Sequence, residues 1–261
     1  MKEIKNMGFV PALRKGNTGI GFTLETLLGI RENNYSKGDF IDNNEYHGIL
    51  FELKSQRHNK IDPRKKIKNS KSSHLISLVT QAPHGGLSNR GLIVLYGYAD
   101  SKARKRKNLY ATISATKYIE SKHKFVAQMK IKRKGNRLYL LVADKKVAHV
   151  NLNRITHKLE NLLIIRADVE WRKCGCRNAK AHSGKYHEFF HFNKPCIYTG
   201  FNQQKFYQLI DDGSIYYDLR MHIPEGEITG KENYDIKHDH GTGFRTKFEN
   251  ISKFYDKERI L

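Results

Sequence analysis

Residues 39–57, DFIDNNEYHGILFELKSQR, constrain this chain more than any other part: an apolar run closes on Glu52, Leu53 and Lys54, and a basic stretch follows at once. Side chains two apart on a β-strand share a face. On a strand over residues 48–54, Glu52 and Lys54 therefore point one way while Leu53 enters a core. Glu45 stands at the strand's entry and can fold back beside them. Two crowded carboxylates repel, and a divalent cation that takes oxygen ligands from both relieves the repulsion. Mg²⁺ is the cation this donor set suggests, with Glu45 and Glu52 as ligands. Such an ion polarises a phosphate and lowers the pKa of a bound water, while Lys54 orients or deprotonates the attacking water. An exposed Glu–Lys pair would explain the same residues at little cost. The neighbourhood favours the chemical reading, because eight of residues 54–71 are Lys or Arg and set the carboxylates beside a phosphate-binding surface.

The whole chain shares this bias. Its 261 residues hold 48 Lys and Arg against 26 Asp and Glu, a formal charge of +22, yet 38% hydrophobic and 11% aromatic residues still allow a packed core. That length suits one large domain or two small ones, and excludes a disulfide mini-protein or a disordered tail. With no apolar run of about 18 residues and no apolar signal core behind Met1, a soluble, unexported protein is expected. Three cysteines, Cys174, Cys176 and Cys196, fall in one short segment, so a reducing, cytoplasmic setting is expected. The surplus charge calls for a polyanion, and nucleic acid ranks ahead of a membrane surface because no long amphipathic basic helix is visible. Residues 101–158 carry 17 Lys and Arg against only Glu120 and Asp144, which is where a phosphate backbone would be tracked. Within them, residues 102–107 (KARKRK) read as a basic loop and residues 131–136 (IKRKGN) as a turn between strands. Two solvated hairpin loops are the plainer alternative.

Helical spacing of Ile20, Leu24, Leu27 and Leu28 predicts a helix over residues 18–28, stopped by Gly29. Strands then dominate, over residues 48–54, 75–80, 92–96, 109–114, 125–132, 138–142, 163–171, 186–192 and 215–223, on β-branched and aromatic content. Short helices are expected over residues 153–161, 202–211 and 248–255. A soft division near residue 155 separates residues 1–155 from 156–261.

The segment at residues 15–28, KGNTGIGFTLETLL, followed by an acidic residue and the Glu-Leu-Lys strand, resembles the MvaI/BcnI-type restriction endonucleases and the related MutH-type mismatch-repair nickases. Residues 238–245, HDHGTGFR, resemble a block near the C-terminus of the MvaI-type enzymes. Weaker matches lie in SLVTQAP at residues 77–83 and IYYDLRM at residues 215–221. The resemblance implies an α/β fold with a mixed central sheet flanked by helices, in two lobes that form a DNA cleft: a catalytic lobe from residues 1–155 and a recognition lobe from residues 156–261. It implies Mg²⁺-dependent, site-specific hydrolysis of double-stranded DNA, with a companion DNA methyltransferase encoded nearby. Glu25 becomes an accessory active-site carboxylate, Glu45 and Glu52 the metal ligands, and Lys54 the catalytic lysine. The family usually has Asp where Glu45 stands, so Asp42 or Asp39 is the ligand if the loop is registered differently. Asp218, Arg220, His238, His240 and Arg245 are implied to touch the target. Arg donates two hydrogen bonds to guanine and a carboxylate accepts from the cytosine amine, so this set suits a short GC-rich site. A polar turn with locally bonded histidines is the alternative for the HDHG segment.

Cys174, Cys176, His182, His187, His191 and Cys196 have the residue types of a zinc site, but Cys-x-Cys without a second paired motif lacks the usual spacing. A long hairpin loop, with His187 and His191 on one face of the returning strand and Cys196 in the core, is expected instead. Gly16, Gly19 and Gly21 carry no Walker pattern. In the resembling enzymes the glycine-rich entry to this helix lies close to the DNA, which implies Arg14 and Lys15 as phosphate contacts, with Thr18 as a helix cap; solvated basic residues are the alternative. Two other readings stay open: a MutH-like enzyme that nicks one strand, and a noncatalytic DNA-binding protein.

Overall fold

The computed structural model describes residues 2–30, 40–42, 49–62, 67–71, 75–99, 106–173, 186–224 and 239–260. Its longer elements, in chain order, are α1 (Gly19–Leu27), β1 (Ile49–Asp62), β2 (Ile76–Thr80), α2 (Asn89–Tyr96), β3 (Arg106–Ile113), β4 (Met129–Lys134), β5 (Arg137–Val142), β6 (Lys145–Asn151), β7 (Leu162–Lys173), β8 (Tyr186–Phe201), α3 (Gln203–Asp211), β9 (Ile215–Pro224), β10 (Gly243–Thr246) and β11 (Tyr255–Ile260).

Two compact units share the chain, the first from residues 1–74, 158–201 and 255–261 and the second from residues 75–157 and 202–254. The division expected near residue 155 falls beside one of the crossings, and the others follow residues 74, 201 and 254. Strand pairing explains the interruption. In the first unit β1 and β7 run parallel, Leu53 beside Leu163. Parallel neighbours need a long crossover, and here the connection contains residues 75–157 of the second unit.

The first unit is a mixed sheet in which β8 and β7 pair antiparallel and β7 and β1 parallel, with Val10–Pro11, Phe40–Asp42, Ile67–Lys71 and β11 paired outside them. Helix α1 lays Ile20 and Leu24 on the face that holds Phe51, Leu53, Leu163, Ile165, Val169 and Phe190. Each such side chain contributes about 1.5–3 kcal/mol by leaving water. The alternate residues, Leu162, Ile164, Cys196 and Tyr198, are also buried, so both faces of the central strands are covered. This is why residues 162–165, LLII, read as a continuous apolar run rather than an alternating one.

The second unit holds a five-stranded sheet, β2-β10-β9-β3 with Tyr98–Ala99, and a four-stranded sheet, β6-β5-β4 with Gly85–Gly86. Helix α3 starts at Asn202, whose side chain accepts from the Lys205 N–H, and buries Phe206, Tyr207, Leu209 and Ile210.

Four sequence expectations are corrected. Residues 92–96 are helical rather than extended, because the Ser88 side chain caps α2 by accepting from the Gly91 N–H and the helix buries Leu92 and Ile93. Residues 125–132 begin as a helical turn, Lys124–Ala127, before β4 starts at Met129. Thr18 makes no side-chain cap; Thr23 Oγ1 accepts from the Leu13 N–H at 3.0 Å and donates to the Gly19 carbonyl at 2.7 Å instead. Strand β6 was not anticipated. Its turn, Ala143-Asp144, takes φ of 48° and 63°, the conformation of a tight hairpin, without the glycine that would announce it.

Candidate active site and recognition cluster

Glu52 and Lys54 come off β1 on one face, with Leu53 buried between them on the other. The Lys54 ammonium donates to Glu52 Oε1 at 2.5 Å, and the two side chains keep 22% and 17% of their exposure. Register sets Glu52 beside Leu162 and Lys54 beside Ile164, both fully buried. The charged pair therefore rises from an apolar floor, where charge–charge interactions are screened less than in water. The Glu52 N–H donates to the Asn161 carbonyl at 3.0 Å, which anchors the strand where the pair begins. Below lies Tyr255, whose hydroxyl donates to the Leu159 carbonyl at 2.6 Å. Burial, and then the Glu52 charge, push this phenol well above its ordinary range, so it stays a proton donor.

Glu52 Oε2 accepts no hydrogen bond among the described residues. One hard oxygen is thus left over beside an ammonium, which fits an oxygen-preferring cation such as Mg²⁺. No three His, Cys, Asp or Glu converge among the described residues. Glu45, Asp39 and His238 lie outside those residues, and Asp42 is described only as the end of the strand Phe40–Asp42, its backbone paired with Ile49.

Glu25 is on α1, half-buried. A Cβ on Gly21 would lie 3.6 Å from both Glu25 Oε1 and Ser55 Oγ, so Glu25 is on the side of α1 that faces Ser55 of β1. Strand alternation puts Ser55 on the Leu53 face, opposite Glu52 and Lys54. Before α1 the loop turns back so tightly that a Cβ on Gly19 would sit 2.2 Å from the Arg14 carbonyl. In this loop Lys15 is exposed, and the Arg14 guanidinium lies 3.8 Å over the Phe22 ring. Sequence reasoning missed what fixes it. Arg57 donates to the Gly16 and Asn17 carbonyls at 3.0 and 3.2 Å and forks onto Glu188 at 2.6 and 3.1 Å. Glu188 is 131 residues away, so no local pattern announces it.

A second acid–base pair occupies β9. Asp218 is fully buried; Arg220 Nε donates to its Oδ2 at 2.7 Å, Arg245 Nε lies 2.5 Å from the same oxygen as an ion pair without hydrogen-bond geometry, and Thr112 donates to Oδ1 at 2.6 Å. The resemblance casts Asp218 as a contact to the target. The structure gives it another part: both oxygens are used and none is exposed, so it holds two arginines in place. The terminal nitrogens of Arg220 make no hydrogen bond among the described residues, and its side chain is 42% exposed. The 239–245 segment is stitched alongside, with the His240 N–H donating to the Arg220 carbonyl at 2.9 Å and Thr242 Oγ1 accepting from the Arg220 N–H at 2.9 Å. His240 is exposed and stacks on His222, ring centroids 4.8 Å apart. Arg245 also donates to the Gly241 carbonyl at 3.2 Å.

Cys174, Cys176 and His182 lie outside the described residues. Cys196 is buried with a free thiol that donates to Glu258 Oε1 at 3.3 Å, and burial pushes its pKa up to about 11. His187 and His191 project from β8 at alternate positions, and His187 stacks on Phe189 at 5.2 Å.

The sequence profile of the MvaI/BcnI restriction endonuclease family matches residues 1–255. The chain belongs to that family. Membership places it among site-specific endonucleases. The fold agrees: the structure titled "Restriction endonuclease MvaI-cognate DNA substrate complex" superposes with a TM-score of 0.66 at 22% identity, covering 99% of this chain and 94% of that one. "Restriction endonuclease MvaI in the absence of DNA" aligns at a TM-score of 0.46 and 16% identity, over 100% of this chain and 94% of that one. No curated protein sequence matches the chain. Among the described residues, no helix is long and apolar enough to cross a membrane.

Proposed function

We propose that this protein is a type II restriction endonuclease that hydrolyses phosphodiester bonds in double-stranded DNA, with Mg²⁺, at a short site containing G·C pairs. The carrying observation is the Glu52–Lys54 pair on β1, with one carboxylate oxygen left open beside the ammonium. Glu52 and Glu45 would hold the metal, and the metal when bound supplies charge for the phosphate and acidity for its water. Lys54, fixed by Glu52, orients the attacking water and faces the charge that grows on the phosphate oxygens. Glu25, on the side of β1 opposite Glu52 and Lys54, would support from α1 the strand that carries them rather than the metal itself, and Arg14 and Lys15 would take phosphates of the backbone. The first unit thus does the chemistry. The second reads sequence: Asp218 fixes Arg220 and Arg245, whose forked donors match guanine O6 and N7, with His240 beside them and His238 proposed as a further contact. DNA as substrate is supported by family membership and by the DNA complex of the structural neighbour. The setting is the cytoplasm, with a DNA methyltransferase encoded nearby to protect the host.

The test is incubation with a plasmid and Mg²⁺, followed by sequencing of fragment ends. Defined ends at one short sequence are expected, and they disappear with EDTA. Persistent nicked circles would replace the restriction reading with a MutH-like one, and no cleavage at all would leave a DNA-binding protein.

A further inference from the structure

The four-stranded sheet of the second unit has one face that the recognition reading does not use. Strands β4, β5 and β6 turn Met129, Ile131, Leu138, Leu140, Val142, Ala148 and Val150 into the core. Register then places Lys130, Lys132 and Lys134 of β4, Arg137 and Tyr139 of β5, and Lys146 and His149 of β6 together on the opposite face. Lys132, Lys134, Arg137 and Lys146 are exposed. Lys146 lies 4.4 Å over the Tyr139 ring, and Leu141, in register between Lys130 and Lys146, is only 4% exposed. The one acid in residues 129–151 is Asp144 in the β5–β6 turn, and it is paired with Lys130 at 2.7 Å; Asp211 of α3 pairs with Arg133, which register puts on the other face. Lys132, Lys134 and Arg137 form no ion pair among the described residues. Residues two apart on a strand lie about 6.8 Å apart, so β4 alone presents a straight ladder of ammonium groups.

We infer that this face is a binding surface for the phosphate backbone of duplex DNA, one that adds affinity without reading sequence. The inference rests on the DNA-cleaving function proposed above. A row of point charges with no forked side chain held against a partner neutralises phosphates but specifies no base. Single strands are captured by stacking on several exposed aromatic rings, and among the described residues this face offers two, Tyr139 covered by Lys146 and Tyr118 engaged by Lys130 and Asp144. A membrane surface is bound through inserted apolar side chains, and none of the large exposed hydrophobic residues lies on β4, β5 or β6.

The experiment compares the full-length protein with a Lys132→Ala/Lys134→Ala/Arg137→Ala variant. Binding to a duplex lacking the target is measured from 50 to 200 mM salt. Each lost phosphate contact removes about 0.9 from the slope of log affinity against log salt. Three lost contacts flatten it by about 2.7, so the affinity drop across that range shrinks about 40-fold. Cleavage of a short target duplex at saturating protein is expected to keep its rate. An unchanged slope would overturn the inference, and so would loss of binding to anionic phosphatidylserine vesicles with duplex binding intact. If the wild-type protein cuts no DNA but the slope still flattens, the proposed function fails and this surface stands. Circular dichroism of the variant separates a surface effect from misfolding.

Discussion

Glu52-Leu53-Lys54 on β1 and Asp218-Leu219-Arg220 on β9 are the same pattern: an acid and a base two apart on a strand with a buried leucine between. Their surroundings separate them. Glu52 keeps 17% of its side-chain exposure and accepts one bond, so a second oxygen remains for a ligand. Asp218 keeps none and is surrounded by Thr112, Arg220 and Arg245. A fully buried carboxylate is tolerated only when its charge and lone pairs are satisfied. A partly exposed one can leave a lone pair for chemistry. The first is suited to catalysis and the second to holding donors in place.

The largest effect that probes this contrast is on cleavage. Lys54→Ala, and separately Glu52→Gln, are expected to slow single-turnover cleavage roughly 10³-fold or more. Duplex binding should stay within a few-fold and stability within about 1 kcal/mol, because a part-exposed pair stabilises little. Rapid-quench kinetics and urea melts measure both, and retained cutting by Lys54→Ala would remove β1 from the chemistry.

Asp218→Asn should behave in the opposite way. Breaking a buried ion pair by neutralising one member costs about 3–5 kcal/mol, so the urea midpoint should fall clearly. A midpoint equal to that of Glu52→Gln would erase the contrast between the two carboxylates.

Next in size, Arg220→Lys keeps the charge on Asp218 but removes the forked donor. Discrimination against a substituted G·C pair should weaken by about 1–3 kcal/mol, read as the ratio of cleavage rates on matched and mismatched duplexes. Unchanged selectivity would make Arg220 a structural partner only.

The smallest effect concerns Cys196, on the same sheet face as Glu52. Its thiol rises from the ordinary 9.0 to about 11 through burial first, with the Glu258 hydrogen bond and charge adding to it. The sign follows from linkage: between these values the unfolded chain loses the proton that the folded chain keeps, so stability falls as pH rises from about 9 to 11. In a protein with Cys174 and Cys176 replaced by Ser, iodoacetamide should leave Cys196 unlabelled at pH 8 while native. Rapid labelling would contradict the burial.

Much of β1 and its pair was legible because alternation is a local property: residues 49–54 name their own faces. Helix α1 was legible for the same reason at helical spacing. Strand β6 was not, since Ala143 and Asp144 adopt a left-handed turn that L residues enter only at a cost of about 1–2 kcal/mol each, supplied by strand pairing. Nor was α2 recognised, where Leu92, Ile93 and Val94 have strand composition but Ser88 supplies a cap. The Arg57–Glu188 fork and the Thr112–Asp218 bond join residues 131 and 106 apart, beyond any motif.

The sequence by itself determined that this chain is strongly basic, rich in strands, and carries an acid and an amine on one face of an apolar strand. It also determined that a similar pair recurs downstream. Only the tertiary structure decided which carboxylate would be sealed and which left open, because burial is set by whatever distant strands arrive alongside. Thr112 and Arg245 reach Asp218 through sheet pairing of β3, β9 and β10, whereas Glu52 meets an apolar floor and keeps an oxygen free.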